Sequence, residues 1–215
     1  MLAEKRTALV VGATGLIGNL VVDELLASDK YARVKVLVRG SLTKTHTKLN
    51  TIVFDFDNPD ASLVSADDVY CCLGTTMKKA GSKDAFYKVD CAYPHQIAKM
   101  AHANGTKRFA IVTAMGADKD SAIYYNRVKG EVEDLLKKVG FEALLVFRPS
   151  LLLGNRPDKR TGERIGEKLM KFFEPVIPKK YRAIEARKVA GAMVVIMTSS
   201  VKGNIVYESD ILQEF

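Results

Sequence analysis

An apolar stretch at residues 7–11 runs into Gly12-Ala13-Thr14-Gly15-Leu16-Ile17-Gly18 and then into a helical apolar pattern over residues 16–26. Strand, glycine turn and helix in that order open a crossover unit and leave few folds available. Gly12 lets the chain turn out of the strand, Gly15 lets backbone approach a phosphate, and Gly18 lets helix and strand pack closely. Free N–H groups where the helix starts suit an anion. Gly12, Thr14, Gly15, Leu16, Ile17 and Gly18 are therefore candidate cofactor-binding residues, with the pyrophosphate of a dinucleotide as the ligand. A tight strand-helix turn without a ligand is the alternative.

The rest of the chain repeats the alternation. Residues 33–38, 51–54, 68–73, 108–113 and 143–147 read as short strands. Helices are predicted at 84–104, stopped by Gly105, and at 122–139, stopped by Gly140. The predicted fold class is α/β, a doubly wound parallel sheet with helices on both faces, and the glycine loop then lies at the edge where such sheets bind ligands. From Gly154 the chain becomes a charged loop, a helical pattern at 165–173, a break at Pro175 and Pro178, a helix at 186–197 and a last strand at 204–207. Residues 1–215 read as one domain, in which 154–215 form a small substrate-side region without enough apolar sequence for its own core.

Composition narrows the function classes. With 47% apolar residues the 215-residue chain can bury one substantial core. No apolar run approaches the roughly 20 residues that span a bilayer, and no signal-peptide core follows Met1, so a soluble, cytoplasmic protein without membrane association is expected. Cys71, Cys72 and Cys91 have no metal-ligand spacing and read as reduced, buried thiols, with no metal site. Of the net charge of +8, an excess of six sits in residues 156–188, which hold 11 Lys/Arg against 5 Asp/Glu. That segment suits an anionic small-molecule substrate, but a solvated basic face is the commoner outcome. Aromatic residues do not interleave with its charges, which leaves nucleic-acid binding unsupported.

Dinucleotide sites usually carry an acidic residue about 20 positions past the glycines, which repels the extra phosphate of NADP. Here residues 33–38 are followed by Arg39, a cationic fork suited to a 2′-phosphate, with Ser41 and Lys44 nearby. NADP(H) is favoured, and NAD(H) is the alternative. Asp55, after the third strand, is positioned for the adenine amino group. Gly74, after the fourth, lets backbone run against the middle of the cofactor.

Tyr125 and Lys129 stand one helical turn apart on one face of the helix that follows the fifth strand. An ammonium beside a phenol favours the phenolate, and the same lysine can hold ribose hydroxyls, so the pair can do acid–base work. The spacing alone is weak evidence, since Tyr31 and Lys35 share it. Location decides, because Tyr31/Lys35 lies at the wrong edge of the sheet.

These residues, together with Phe147-Arg148-Pro149-Ser150, give the chain a resemblance over nearly its whole length to the atypical, extended short-chain dehydrogenase/reductases of Rossmann type. The stretch from Tyr125 to Glu133, preceded by Gly116-Ala117-Asp118, most resembles the branch of Tat-interacting oxidoreductases and regulators of nitrogen metabolite repression. The resemblance implies Tyr125 as acid/base, Lys129 as its partner and ribose ligand, and Pro149 and Leu151 as backbone contacts of the carboxamide; helices such as 84–104 can pair across a homodimer in this family, or their apolar faces are simply core. It also implies a substrate-orienting Ser or Thr after the fifth strand, where this chain places Met115. Thr113 is the remaining hydroxyl and the third catalytic candidate, because a thioether cannot polarise a carbonyl oxygen. Three functions are carried forward: an NADPH-dependent reductase of a small carbonyl-like substrate, a non-catalytic NAD(P)H-binding redox sensor, and a nucleic-acid binder as the weakest.

Overall fold

The computed structural model describes residues 5–154 and 178–215. Seven strands form one parallel sheet in the order β3-β2-β1-β4-β5-β6-β9. They are β1 (Arg6–Val11), β2 (Tyr31–Val38), β3 (Leu49–Val53), β4 (Asp68–Cys71), β5 (Arg108–Val112), β6 (Ala143–Arg148) and β9 (Gly203–Glu208). A second, two-stranded parallel sheet pairs β7 (Leu152–Leu153) with β8 (Ile184–Glu185). The chain winds outward from β1 in both directions, and the reversal between β1 and β4 opens a crevice at their carboxyl ends.

The central strands are apolar on both faces because both faces are covered. Val10, Tyr70 and Ala110 pack with Val21 and Leu25 of α1 (Leu16–Ala27) and with Val189 and Met193 of α6 (Ala186–Met197). Leu9, Val11 and Ile111 pack on the opposite side with Ile97 of α4 (Tyr93–Ala103) and with Val132 and Leu136 of α5 (Tyr124–Lys137).

Three expectations are refined. The helix predicted at 84–104 is broken into α3 (Lys83–Tyr87), a π turn at Lys88–Ala92 and α4. Pro94, in the first turn of α4, has no N–H and its ring crowds the carbonyl four residues back, that of Asp90. The wider π turn absorbs this crowding. The start of α5 moves from 122 to Tyr124, since the Ile123 N–H donates to the Ser121 hydroxyl instead of entering a helix. The last strand joins the main sheet, pairing with β6 from Ala143↔Gly203 to Arg148↔Glu208. The helical pattern at 165–173 and most of the basic segment at 156–188 lie outside the described residues.

The opposite, amino edge of the sheet carries a buried polar cluster. Asp68 accepts from Tyr31 Oη at 2.6 Å and pairs with Arg6 and, at 3.7 Å, with Arg108. Tyr31 is thereby placed far from the crevice.

Candidate functional site

The glycine loop has the tight packing its spacing requires. Gly12 lies at φ +87°, and a Cβ there would meet the Cys72 carbonyl oxygen at 2.5 Å. Gly18 passes the Gly12 carbonyl so closely that a Cβ would stand 2.1 Å from it, while Gly15 donates its N–H to that oxygen at 3.0 Å. Gly15 caps α1 in extended conformation with no side-chain cap, and the first turn holds no acidic residue. The opening amides of α1 therefore keep their capacity for an anion, and no acidic residue of that turn competes. Thr14 and Gly15 are exposed, Leu16 is half-buried, and Ile17 and Gly18 are buried.

Two loops frame this cradle. Arg39 is exposed directly after β2, with no acidic residue beside it in sequence. Lys44 is taken up by α1, pairing with Asp23 and donating to the Asn19 carbonyl at 3.3 Å. After β3, Asp55 spends its carboxylate within its own turn, accepting from Asp57 N–H at 2.8 Å and Asn58 Nδ2 at 3.2 Å, and these bonds hold it below the usual carboxylate range. The expected adenine contact thus has a turn-forming role in this structure. On the other flank Gly154 rests against Leu16, where a Cβ would lie 2.9 Å from Leu16 Cδ1. The loop after β6 consequently returns to the start of α1.

The second half of the site gathers around a buried ion pair. Lys129 Nζ stands 2.7 Å from Asp90 Oδ1, with the two side chains 5% and 0% exposed. The other Asp90 oxygen accepts the Thr75 N–H at 2.9 Å, and a Cβ on Gly74 would come 3.5 Å from Asp90 and 3.8 Å from Lys129. Burial pulls the Lys129 ammonium down, but the Asp90 carboxylate and then Tyr125 more than offset it and leave it above the ordinary lysine range. Tyr125 is half-buried, one turn before Lys129, with its ring 5.6 Å from that of buried Phe86. Gly74, Tyr125 and Lys129 are thus brought to one edge, and Asp90 joins them.

Thr113 is placed differently from expectation. Its hydroxyl donates to Glu133 Oε1 at 2.7 Å, beneath α5. Arg148 grips the same carboxylate at 3.0 and 2.5 Å and reaches Glu208 at 3.2 Å. The one Thr113 proton is spent on this network, not turned toward a substrate. Met115 is half-buried, and its N–H donates to the Pro149 carbonyl at 3.0 Å. The Leu151 carbonyl accepts from Ile184 N–H at 2.9 Å, and its side chain is 48% exposed. Both carbonyls are thus occupied within the protein.

Sequence reasoning missed Asp90 and the Glu133–Arg148 pair. For Asp90 the signal was a charge set between apolar Val89 and Cys91, whereas Glu133 gave none, since Glu131 and Asp134 stand close to it in sequence and Lys129 and Lys137 share its helix face. Among the described residues no group of three or more His, Cys, Asp or Glu could hold a metal ion, and no helix is long and apolar enough to cross a membrane. Cys71 and Cys91 are buried, and burial raises all three thiols, Cys71 to about 12.

A parallel sheet with this strand order, a glycine cradle at its switch point and a lysine-bearing helix beside it define a dinucleotide-binding protein of Rossmann type. The chain belongs to the NAD(P)H-binding family, whose model matches residues 12–200. Protein HTATIP2 of Rattus norvegicus is 37% identical over 171 residues, covering 77% of this chain and 70% of that protein. Mitochondrial protein fmp52-1 of Aspergillus terreus is 35% identical over 159 residues, covering 70% and 68%. Among solved structures, MoeE5 in complex with UDP-glucose and NAD superposes with a TM-score of 0.72 at 15% identity, covering 96% of this chain and 79% of that one. WbmH of Bordetella bronchiseptica in complex with NAD+ gives 0.69 at 16% identity, covering 95% and 75%. At these identities the structural matches speak for the fold alone.

Proposed function

We propose that the chain is an NADPH-dependent reductase of a small carbonyl compound. The observation that carries this reading is Lys129, fixed at the head of α5 by Asp90 and facing both Tyr125 and the Gly74 loop. When bound, the cofactor would supply hydride. The residues fit it: Gly12, Gly15 and Gly18 make the cradle, the opening amides of α1 take the pyrophosphate, and Lys129 takes ribose hydroxyls. Arg39 supplies the preference for the 2′-phosphate, since no carboxylate stands beside it in sequence to repel that group. Tyr125 donates a proton to the substrate oxygen, and Lys129 stabilises the phenolate that remains. Three unpaired cysteines suit a reducing compartment.

The reading predicts NADPH consumption with a carbonyl panel that falls at least 100-fold in Tyr125→Phe while NADPH affinity is retained. Unchanged turnover in that variant would remove Tyr125 from the reaction.

A second reading, a non-catalytic NAD(P)H-binding sensor, is favoured by one specific observation. The Thr113 hydroxyl is committed to Glu133, and Met115 offers only a thioether. Loss of one substrate hydrogen bond of this kind costs about 2–4 kcal/mol of transition-state stabilisation. The sensor reading predicts tight NADPH binding, no turnover across the panel and nucleotide-dependent association with a protein partner.

A further inference from the structure

The Asp90–Lys129 pair has a consequence for the direction of proton transfer. The titratable groups around it come from each element packed there: Cys71 from β4, Asp90 and Cys91 from the π turn, and Tyr125 from α5, with Tyr87 of α3 and Glu131 of α5 beside Cys91. Cys71 and Cys91 are held as neutral thiols by burial. The charges of the inner cluster therefore reduce to one carboxylate and one ammonium, 2.7 Å apart. With a bare lysine the cluster would carry a buried positive charge, and loss of one proton from the Tyr125–Lys129 couple would relieve it. With Asp90 present the protonated couple is already balanced, and the same loss creates a buried negative charge.

We propose that Asp90 is a positioning residue that cancels the charge of Lys129 beneath Tyr125 and leaves the site set to give a proton to substrate oxygen, the reductive direction. This rests on the reductase reading above. In that step the carbonyl carbon takes hydride from the reduced nicotinamide, the π pair moves to oxygen, and the Tyr125 proton completes the alcohol. The phenolate left beside Lys129 regains its proton from solvent. The same carboxylate also fixes geometry, because its second oxygen holds the Thr75 N–H and ties the loop after β4 to α5. The π turn is the device that delivers it, aiming Asp90 inward four residues before Pro94 in the first turn of α4.

The test is a pH titration by NMR of nucleotide-free protein carrying 13C at tyrosine Cζ and lysine Cε, with Tyr125→Phe and Lys129→Met used for assignment. In Asp90→Asn, whose amide oxygen can still accept from Thr75, the Tyr125–Lys129 couple is expected to lose its first proton at least one pH unit lower than in the wild type. An unchanged midpoint overturns the proposal. Should Asp90→Asn fail to fold, Asp90→Ser supplies the same comparison with Lys129 in place. Removing the carboxylate then lowers the first midpoint of the couple by at least one unit if the proposal holds, and leaves it in place if it does not. Where turnover is measurable, the pH profile of NADPH oxidation shifts to the acid side in Asp90→Asn. Absence of turnover in every variant would count against the reductase reading, and the NMR midpoints would still decide the role of Asp90.

Discussion

Gly18 lies against the carbonyl of Gly12 with no room for a methyl group, 2.1 Å separating that oxygen from where a Cβ would be. Backbone on backbone cannot yield as a side chain can. Gly18→Ala should therefore cost about 3 kcal/mol or more of stability, read from the urea midpoint at constant m. Gly15→Ala is expected to separate folding from binding. Its Cβ would sit 3.3 Å from the same oxygen at an ordinary φ of −79°, so stability changes by less than about 1 kcal/mol, but NADPH affinity falls at least tenfold. Equal affinity in Gly15→Ala would show that the phosphates approach elsewhere.

The Glu133 carboxylate collects Thr113 and both prongs of Arg148 in a buried setting. Glu133→Ala leaves Arg148 with Glu208 as its remaining partner and should cost about 2–3 kcal/mol, whereas Thr113→Val removes one neutral donor and should cost about 1 kcal/mol. A double-mutant cycle between the two positions checks the coupling. Additive losses would mean that the Thr113 hydroxyl serves something other than Glu133.

Asp68 gives the fold a pH dependence of definite sign. Burial, opposed by the Tyr31 hydrogen bond and by Arg6 and Arg108, raises its pKa from 3.8 to about 6. Between those values the folded protein holds a proton that the unfolded chain has lost, so this group's contribution is full below pH 4 and fades as pH rises to 6. About two units correspond to about 3 kcal/mol. The stability of wild type relative to Asp68→Asn should therefore fall by about 3 kcal/mol as pH rises from 4 to 6, and a constant difference through that window would contradict the assignment.

Arg39→Ala should weaken NADPH binding tenfold or more and leave NADH nearly untouched. Isothermal titration with both nucleotides measures this directly, and equal losses would remove the 2′-phosphate role.

The layered fold and the glycine cradle were legible because each rests on local chemistry: strands apolar on both faces, and glycines where backbone meets backbone. The placement of Tyr125 and Lys129 on one helix at that sheet edge was legible from helical spacing combined with strand order. Asp90 was not, because its partner lies 39 residues away and the π turn changes which face it occupies. The position of Thr113 was foreseeable in register but not in orientation, since its acceptor Glu133 lies on another element. Asp55 could not be assigned in advance either, as a carboxylate two residues before Asp57 can serve a ligand or its own turn, and here it closes the turn.

One brace of this architecture is made after the strands it supports. Strand β9 and Ser209 follow β1 to β6 in the chain, yet Glu208 clasps Arg148 and Ser209 reaches Ser150 at 2.9 Å, across the loop that flanks the crevice. While a nascent chain is still on the ribosome, β1 to β6 can collapse around α1 and α5, but the wall behind that loop stays unfinished. Competence to hold a ligand is thus expected to appear abruptly, after the sheet has formed and not alongside it.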